Sequence, residues 1–172
     1  MEAVGDYLEL DGRPAVRLVR TFDDPVGRVW SAITDPTERD RWFPSPVTID
    51  LREGGAVRFP VDPRPGPGPD PGRVLRLQPP HHLAFSWGAD ELRFDLAAHG
   101  PSCLLTFTDL LEEQNTAARN AAGWSLCLGA LERLLAGEDT EGPFSTANAA
   151  RFPALYEAHI AAGVPFGADL SD

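Results

Sequence analysis

The stretch Ala118–Gly137, ARNAAGWSLCLGALERLLAG, decides the fold. Ala121, Trp124, Leu128, Leu131 and Leu135 recur at steps of three and four, the spacing of one apolar helix face. Asn115 stands where a residue caps the start, and Gly137 where a left-handed residue closes the end. At 1.5 Å per residue such a helix runs roughly 30 Å, enough to cross a small domain. Strand-like segments precede it, so a curved sheet gripping one long helix is expected.

Working outward, Tyr7–Leu10 and Val16–Phe22 read as strands joined at Asp11-Gly12, a hairpin signal. Asp24-Pro25 predicts a helix with Asp24 as cap, and Val26, Val29, Trp30 and Ile33 give it one apolar face. Asp35-Pro36 with Glu38 predicts a second, short helix ending near Trp42-Phe43. Val47–Leu51 leads to a turn at Gly54-Gly55. Val57, Phe59 and Val61 alternate with Arg58 and Pro60, and residues 62–72 form a Pro/Gly loop. Arg73–Leu77, Leu83–Trp87, Glu91–Ala97 and Cys103–Leu111 complete a meander. Its inward side carries Leu83, Phe85, Trp87, Leu92, Phe94, Leu96, Leu105 and Phe107. Arg58, Arg76 and Arg93 alternate against these and belong outside. Gly123 and Gly129 are read as points where the helix approaches the sheet. Beyond the long helix, Pro153 restarts a helix through Leu155, Tyr156, His159 and Ile160 that closes at Gly163; the residues from Val164 are expected to be loose.

The chain has 172 residues and is read as one domain over 1–172, with a core at about 12–137 and an extension holding a helix at about 153–162. No apolar run reaches the length of a membrane span. MEAVGDYLELDG shows no basic stretch followed by an apolar one, so no secretory leader and a cytoplasmic location are expected. Cys103 and Cys127 are far apart and flanked by apolar residues, which favours buried thiols over a disulfide. The net charge is −11, and all fifteen basic residues are Arg. That balance argues against nucleic acid or an anionic membrane as partner, and the lack of Lys excludes Schiff-base chemistry.

Three segments in order resemble one family. VRLVRTFDDPVGRVWSAITDPTERDRWF is similar to the opening of the START/SRPBCC superfamily, in the branch named after the C-terminal domain of the heat-shock-protein ATPase activator. GRVLRLQPPHHLAFSWG resembles its strand pair, and LTFTDLLEEQNTAARNAAGWSLCLGALERLLAG its closing strand and long helix. The resemblance implies an α+β helix-grip fold. A curved antiparallel sheet wraps a long C-terminal helix, two short helices follow the first strand region, and an extra helix lies at the C-terminus. Many relatives carry a His where this chain has Asp109, so a His-based role does not transfer.

The candidate binding set is an apolar cavity between sheet and helix. Phe59, Phe85, Trp87, Phe94 and Phe107 would line it from the sheet, Trp124, Cys127 and Leu128 from the helix, with Trp42 and Phe43 near the mouth. A filled aromatic core is the alternative. Asp109 continues the inward side of Leu105 and Phe107. There it is either a general base in the cavity or, with the strand already leaving the sheet, a carboxylate bonded near the start of the long helix.

His81 and His82 are adjacent and face opposite sides if extended. No metal-ligand spacing occurs among the four His, and neither metal nor cofactor is expected. No GxSxG or GxGxxG is present, and no catalytic constellation is recognisable. The leading expectation is therefore binding of a small hydrophobic or aromatic molecule. Two alternatives stay open through the resemblance. One is a polyketide cyclase- or aromatase-like enzyme using Asp109, Glu112 or Tyr156. The other is a co-chaperone-like interaction module that meets a protein partner or a second copy through Leu155, Tyr156 and Ile160.

Overall fold

The computed structural model describes residues 3–59, 71–139 and 141–171. Strands β1 (Asp6–Leu10) and β2 (Arg13–Phe22) turn at Asp11 and Gly12, whose φ values are 54° and 75°. Two successive positive φ angles give the tight turn whose twist suits a hairpin.

Helix α1 (Val26–Thr34) starts one residue later than the Asp24-Pro25 pair predicts. Pro25 is its cap residue, without a side-chain capping bond, and its carbonyl accepts the amides of Arg28 and Val29. Proline's fixed φ is compatible with the extended cap conformation as well as with the first helical turn. Helix α2 (Pro36–Arg39) is capped as expected: Asp35 Oδ1 accepts the Glu38 amide at 3.0 Å. The return bond of a capping box is missing, because the Asp35 amide already donates to Ser31 in the last turn of α1. The Glu38 carboxylate pairs with Arg28 at 2.8 Å instead. α2 ends at Arg39 and does not reach Trp42-Phe43. Arg39 is itself buried, with Nη1 donating to the Thr34 carbonyl and Nη2 to that of Val47, so it ties the helix pair to the sheet edge.

The remaining strands are β3 (Thr48–Ile49), β4 (Ala56–Arg58), β5 (Gly72–Gln78), β6 (His82–Trp87), β7 (Asp90–His99) and β8 (Ser102–Leu110). All neighbours are antiparallel, in the order β1-β2-β8-β7-β6-β5-β4-β3. Val61 and all but the last two residues of the 62–72 segment lie outside the described residues, and Gly72 already belongs to β5.

A 3-10 turn over Gln114–Thr116 leads into α3 (Ala117–Leu135). Asn115 sits inside that turn and does not cap. Thr116 is the cap residue, again without a side-chain capping bond; its hydroxyl donates back to the Glu113 carbonyl at 2.7 Å. Gly137 closes the helix as predicted. At φ 77° it donates to the Leu134 carbonyl while Glu138 donates to Arg133, the paired bonds of a left-handed helix stop. Helices α4 (Thr146–Ala149) and α5 (Phe152–Ala161) follow, and α5 packs along α3. The same closing pattern recurs at Gly163, with φ 90°.

The expected inward residues form one buried cluster between the sheet and α3. Arg58 and Arg76 are exposed on the other face, and Arg93 pairs there with Asp11 and Glu91. α3 is buried nearly all round, because β2 covers one side and α5 another. The last residues are not loose. Val164 is buried, Pro165 accepts the Ala118 amide at 2.9 Å, Ala168 donates to Asn115, and Arg119 donates to the Asp169 carbonyl. The four N-terminal amides of a helix lack internal partners, and this tail supplies a carbonyl to one of them.

Candidate functional site

The space between sheet and α3 is packed with rings rather than left hollow. Phe107 and Trp124 have centroids 4.5 Å apart, Phe94 and Phe107 5.0 Å, and Phe43 stacks on Trp87 at 5.4 Å. Phe59 stacks on the same indole at 4.9 Å, Phe85 lies 6.1 Å from Phe94, and Trp42 6.1 Å from Phe94. Such offset and edge contacts add about 0.5–1.5 kcal/mol per pair beyond area burial. Phe85, Phe94, Phe107, Leu128, Trp42 and Phe43 therefore stand in the core. Trp42 is fully buried, with its indole N–H donating to the Ala32 carbonyl at 2.9 Å, rather than at a mouth. Phe59 packs at the edge of this cluster.

Where the ring column ends, a cleft of about 430 Å3 opens. Trp87, Trp124, Cys127 and Asp109 of the expected set lie on its wall. They are joined by Pro44, Asp90, Leu92, Arg119, Asn120, Gly123, Phe144, Phe152 and Leu170. The helix contribution is regular: Asn120, Gly123, Trp124 and Cys127 fall at i, i+3, i+4 and i+7 and share one face. A Cβ built on Gly123 would meet no atom within 4 Å. Gly123 thus leaves cleft space open; it does not mark a close approach to the sheet. Phe144 and Leu170, half exposed at 51% and 50%, bring apolar side chains to the rim.

Asp109 forms the polar floor. In β8 it lies opposite Val16 of β2 and Leu92 of β7, and it is 1% exposed. Its Oδ2 accepts from Trp124 Nε1 at 3.1 Å and from Asn120 Nδ2 at 3.2 Å. Its Oδ1 is buried and has no partner among the described residues. Asp109 is still within the sheet, bonds to the long helix and faces the cleft.

Asp90, at the start of β7, shares the Asn120 amide at 3.4 Å and accepts the Glu112 backbone N–H at 2.9 Å. Burial, and next the charge of Asp90, hold the Asp109 carboxyl well above the usual aspartate range, against the pull of the Asn120 and Trp124 donors. Asp109 is therefore a carboxylic acid that keeps its proton where an exposed Asp would have lost it. A hydrogen bond to Asp90 adds to the shift. Burial also pushes the Cys127 thiol up, which makes it an apolar wall and not a nucleophile.

Asp90, Asn120 and the rim residues were not singled out in the sequence. For Asn120 the signal was available: it lies one turn before Trp124 on the helix face that meets Asp109. Glu112 and Tyr156 do not line the cleft, and Tyr156 stacks on Phe152 with centroids 6.0 Å apart. Tyr156 and Ile160 pack against the core cluster. His82 bonds Asp95, and no group of three or more metal-ligating side chains occurs among the described residues. Both cysteines are free and buried, and no described helix is long and apolar enough to cross a membrane.

No curated protein matches the sequence significantly. In structure the chain is similar to CalU16 from Micromonospora echinospora, with a TM-score of 0.72 at 24% identity over 93% of this chain and 96% of that one. It is also similar to EF2215 from Enterococcus faecalis, a conserved protein of unknown function, with a TM-score of 0.71 at 21% identity over 92% and 89%. DynU16, a protein of the dynemicin biosynthetic locus, gives 0.59 at 24% identity over 72% of this chain and 48% of its own. These likenesses concern the helix-grip fold. Residues 23–136, from the end of β2 through α3, match the family described as activator of Hsp90 ATPase homolog 1-like protein, and the chain belongs to that family within the SRPBCC superfamily.

Proposed function

We propose that the protein binds a small, largely apolar or aromatic molecule in the cleft at the end of α3. One observation carries this reading: a 430 Å3 opening whose wall combines Trp87, Trp124, Leu92, Phe152 and Leu170 with a single buried acid. Sites for small ligands have this make-up, an apolar wall that supplies affinity and a few fixed polar groups that set orientation. Trp124 and Asn120 hold the Asp109 carboxyl in one orientation, so a ligand meets a fixed hydrogen-bonding group. Thermal unfolding with a panel of fused-ring aromatics tests the reading. A ligand at a hundred times its Kd stabilises by about 2.7 kcal/mol, whereas no shift with any member of the panel would remove it.

A cyclase-like enzyme is the second reading, and the Asp90–Asp109 pair favours it. A protonated carboxylic acid beside a second carboxyl is equipped to donate a proton to a bound carbonyl and recover it. The apolar walls would hold a flexible substrate in a reactive shape. If Asp109→Asn left turnover of a candidate polyketone unchanged, the acid would have no catalytic part.

A further inference from the structure

Among the described residues the two carboxyls in the cleft, Asp90 and Asp109, form no ion pair. The Arg residues nearest in the hydrogen-bond network are committed elsewhere. Arg119 gives Nη1 to the Asp169 carbonyl and Nε to Asn120 Oδ1, and Arg13 gives Nη2 to the carbonyls of Ala89 and Leu110. The donors that do reach the pair are neutral: Asn120 Nδ2, Trp124 Nε1 and the Glu112 amide. Asp109 Oδ1, on a side chain 1% exposed, has no donor among the described residues.

Two indole rings, Trp87 and Trp124, lie on the same wall with centroids 6.0 Å apart at 83°. Indole faces attract cations, and a desolvated site strengthens that attraction. The chain's net charge of −11 adds a long-range field of the same sign.

We propose that the cleft is built for a ligand with an ammonium group on an apolar or aromatic body, the cation seated against Asp90 and Asp109 and the body against Trp87, Trp124 and the Phe144–Leu170 rim. This rests on the ligand-binding reading above and names the chemical class. A neutral acceptor brings no donor to Asp109 Oδ1. An ammonium supplies several donors and a positive charge, and satisfies Asp109 Oδ1. Its arrival favours the ionised carboxylate of Asp109, so a proton held there leaves to solvent. The charged and titratable groups around the pair are Asp90 from β7, Arg13 from β2, Glu112 and Glu113 from the turn after β8, Arg119 and Cys127 from α3, and Asp169 from the tail.

The test is calorimetric titration of the full chain at pH 7 with naphthylethylamine, naphthylethanol and naphthylacetate, in buffers of differing ionisation enthalpy. The amine is expected to bind at least tenfold more tightly than the alcohol, the acetate to bind most weakly, and any proton release to accompany the amine alone. Asp90→Asn and Asp109→Asn, checked for folding by thermal unfolding, are each expected to erase the preference for the amine over the alcohol. Equal affinity for amine and alcohol, or a preference that survives in both variants, would overturn the ammonium assignment and leave the ligand-binding reading standing. Failure of all three probes to bind would overturn both.

Discussion

Trp124 Nε1 donates to Asp109 Oδ2 over 3.1 Å and so joins the long helix to the closing strand at the floor of the cleft. The same indole packs on Phe107 at 4.5 Å. One side chain thus closes the core on one face and on another orients the only buried carboxyl among the described residues.

That carboxyl sets a pH dependence. The folded-state pKa of Asp109 is raised above its ordinary value of 3.8, chiefly by burial and then by Asp90. Its stabilising contribution is fully present below the unfolded value and is lost as pH rises through the folded one. Within that window one extra bound proton tilts stability by about 1.4 kcal/mol per pH unit. Asp109→Asn, which keeps the Oδ acceptor, is expected to gain on the wild type as pH rises above 4 in urea unfolding. A constant difference between the two proteins would show that Asp109 ionises normally.

Gly123 is the next test. It lies within α3, and a Cβ there meets no atom within 4 Å. Gly123→Ala is expected to stabilise the protein by about 0.5–1 kcal/mol, the helix-propensity difference. Gly123→Leu is expected to keep the fold and weaken any ligand of the cleft, because the new side chain occupies its space. Chemical denaturation of both variants checks this, and a destabilised alanine variant would show that the position is tightly packed.

His159 couples the extra helix to the first strand. The ring is fully buried, Nε2 accepts the Gly5 amide at 2.9 Å, and Nδ1 contacts the Leu155 carbonyl at 2.7 Å. Those two partners fix the neutral tautomer, with the proton on Nδ1. Burial lowers the pKa in the folded state, helped by Arg20. A depressed folded value gives stability that is present above the unfolded pKa, about 6.5, and lost as pH falls through the folded one. Between pH 7 and pH 5 the wild type is expected to lose more stability than His159→Gln. At pH 7 the variant should be weaker by about 1–3 kcal/mol, the cost of a broken buried hydrogen bond. Parallel pH profiles would refute the role of the ring.

The docked tail makes a prediction for hydrogen exchange. The Ala118 amide lies in the first turn of α3, where amides ordinarily exchange fast, yet it donates to Pro165 at 2.9 Å. It is expected to exchange at least tenfold more slowly than the exposed Ser171 amide, and to lose that protection in Val164→Asp, which places a charge at a buried site. Equal exchange in the wild type would mean that the tail does not close on the helix.

Much of the fold was legible because periodicity reports which face of an element is apolar. Leu83, Phe85, Leu92, Phe94, Leu105 and Phe107 announced the sheet's inner face, and Trp124, Leu128 and Leu131 that of the helix. Turn chemistry was as readable at Asp11-Gly12, Gly137 and Gly163, where a positive φ falls on residues that tolerate it. Helix starts were less readable. Asp24 and Asn115 are good caps by type, yet Pro25 and Thr116 take the cap positions because the chain on either side fixes the backbone before a side chain can choose.

The candidate site was legible only in part. Trp87, Trp124, Cys127 and Asp109 were found by continuing the inward pattern, but the same pattern named six residues that pack against one another. Period tells which way a side chain points, not whether another ring arrives to fill the space before it. Asp90, Asn120, Arg119 and Leu170 come from a strand start, a helix face and a tail with no period, so only their meeting in space marks them.

By itself the sequence determined the elements, their apolar faces and the family, since these follow from local spacing and from short motifs in order. The tertiary structure alone decided that the aromatic column is closed, that the opening lies at its end, and that Asp109 meets Asp90 there. Packing and electrostatics depend on distances between segments remote along the chain, and those distances exist only once the sheet has wrapped the helix.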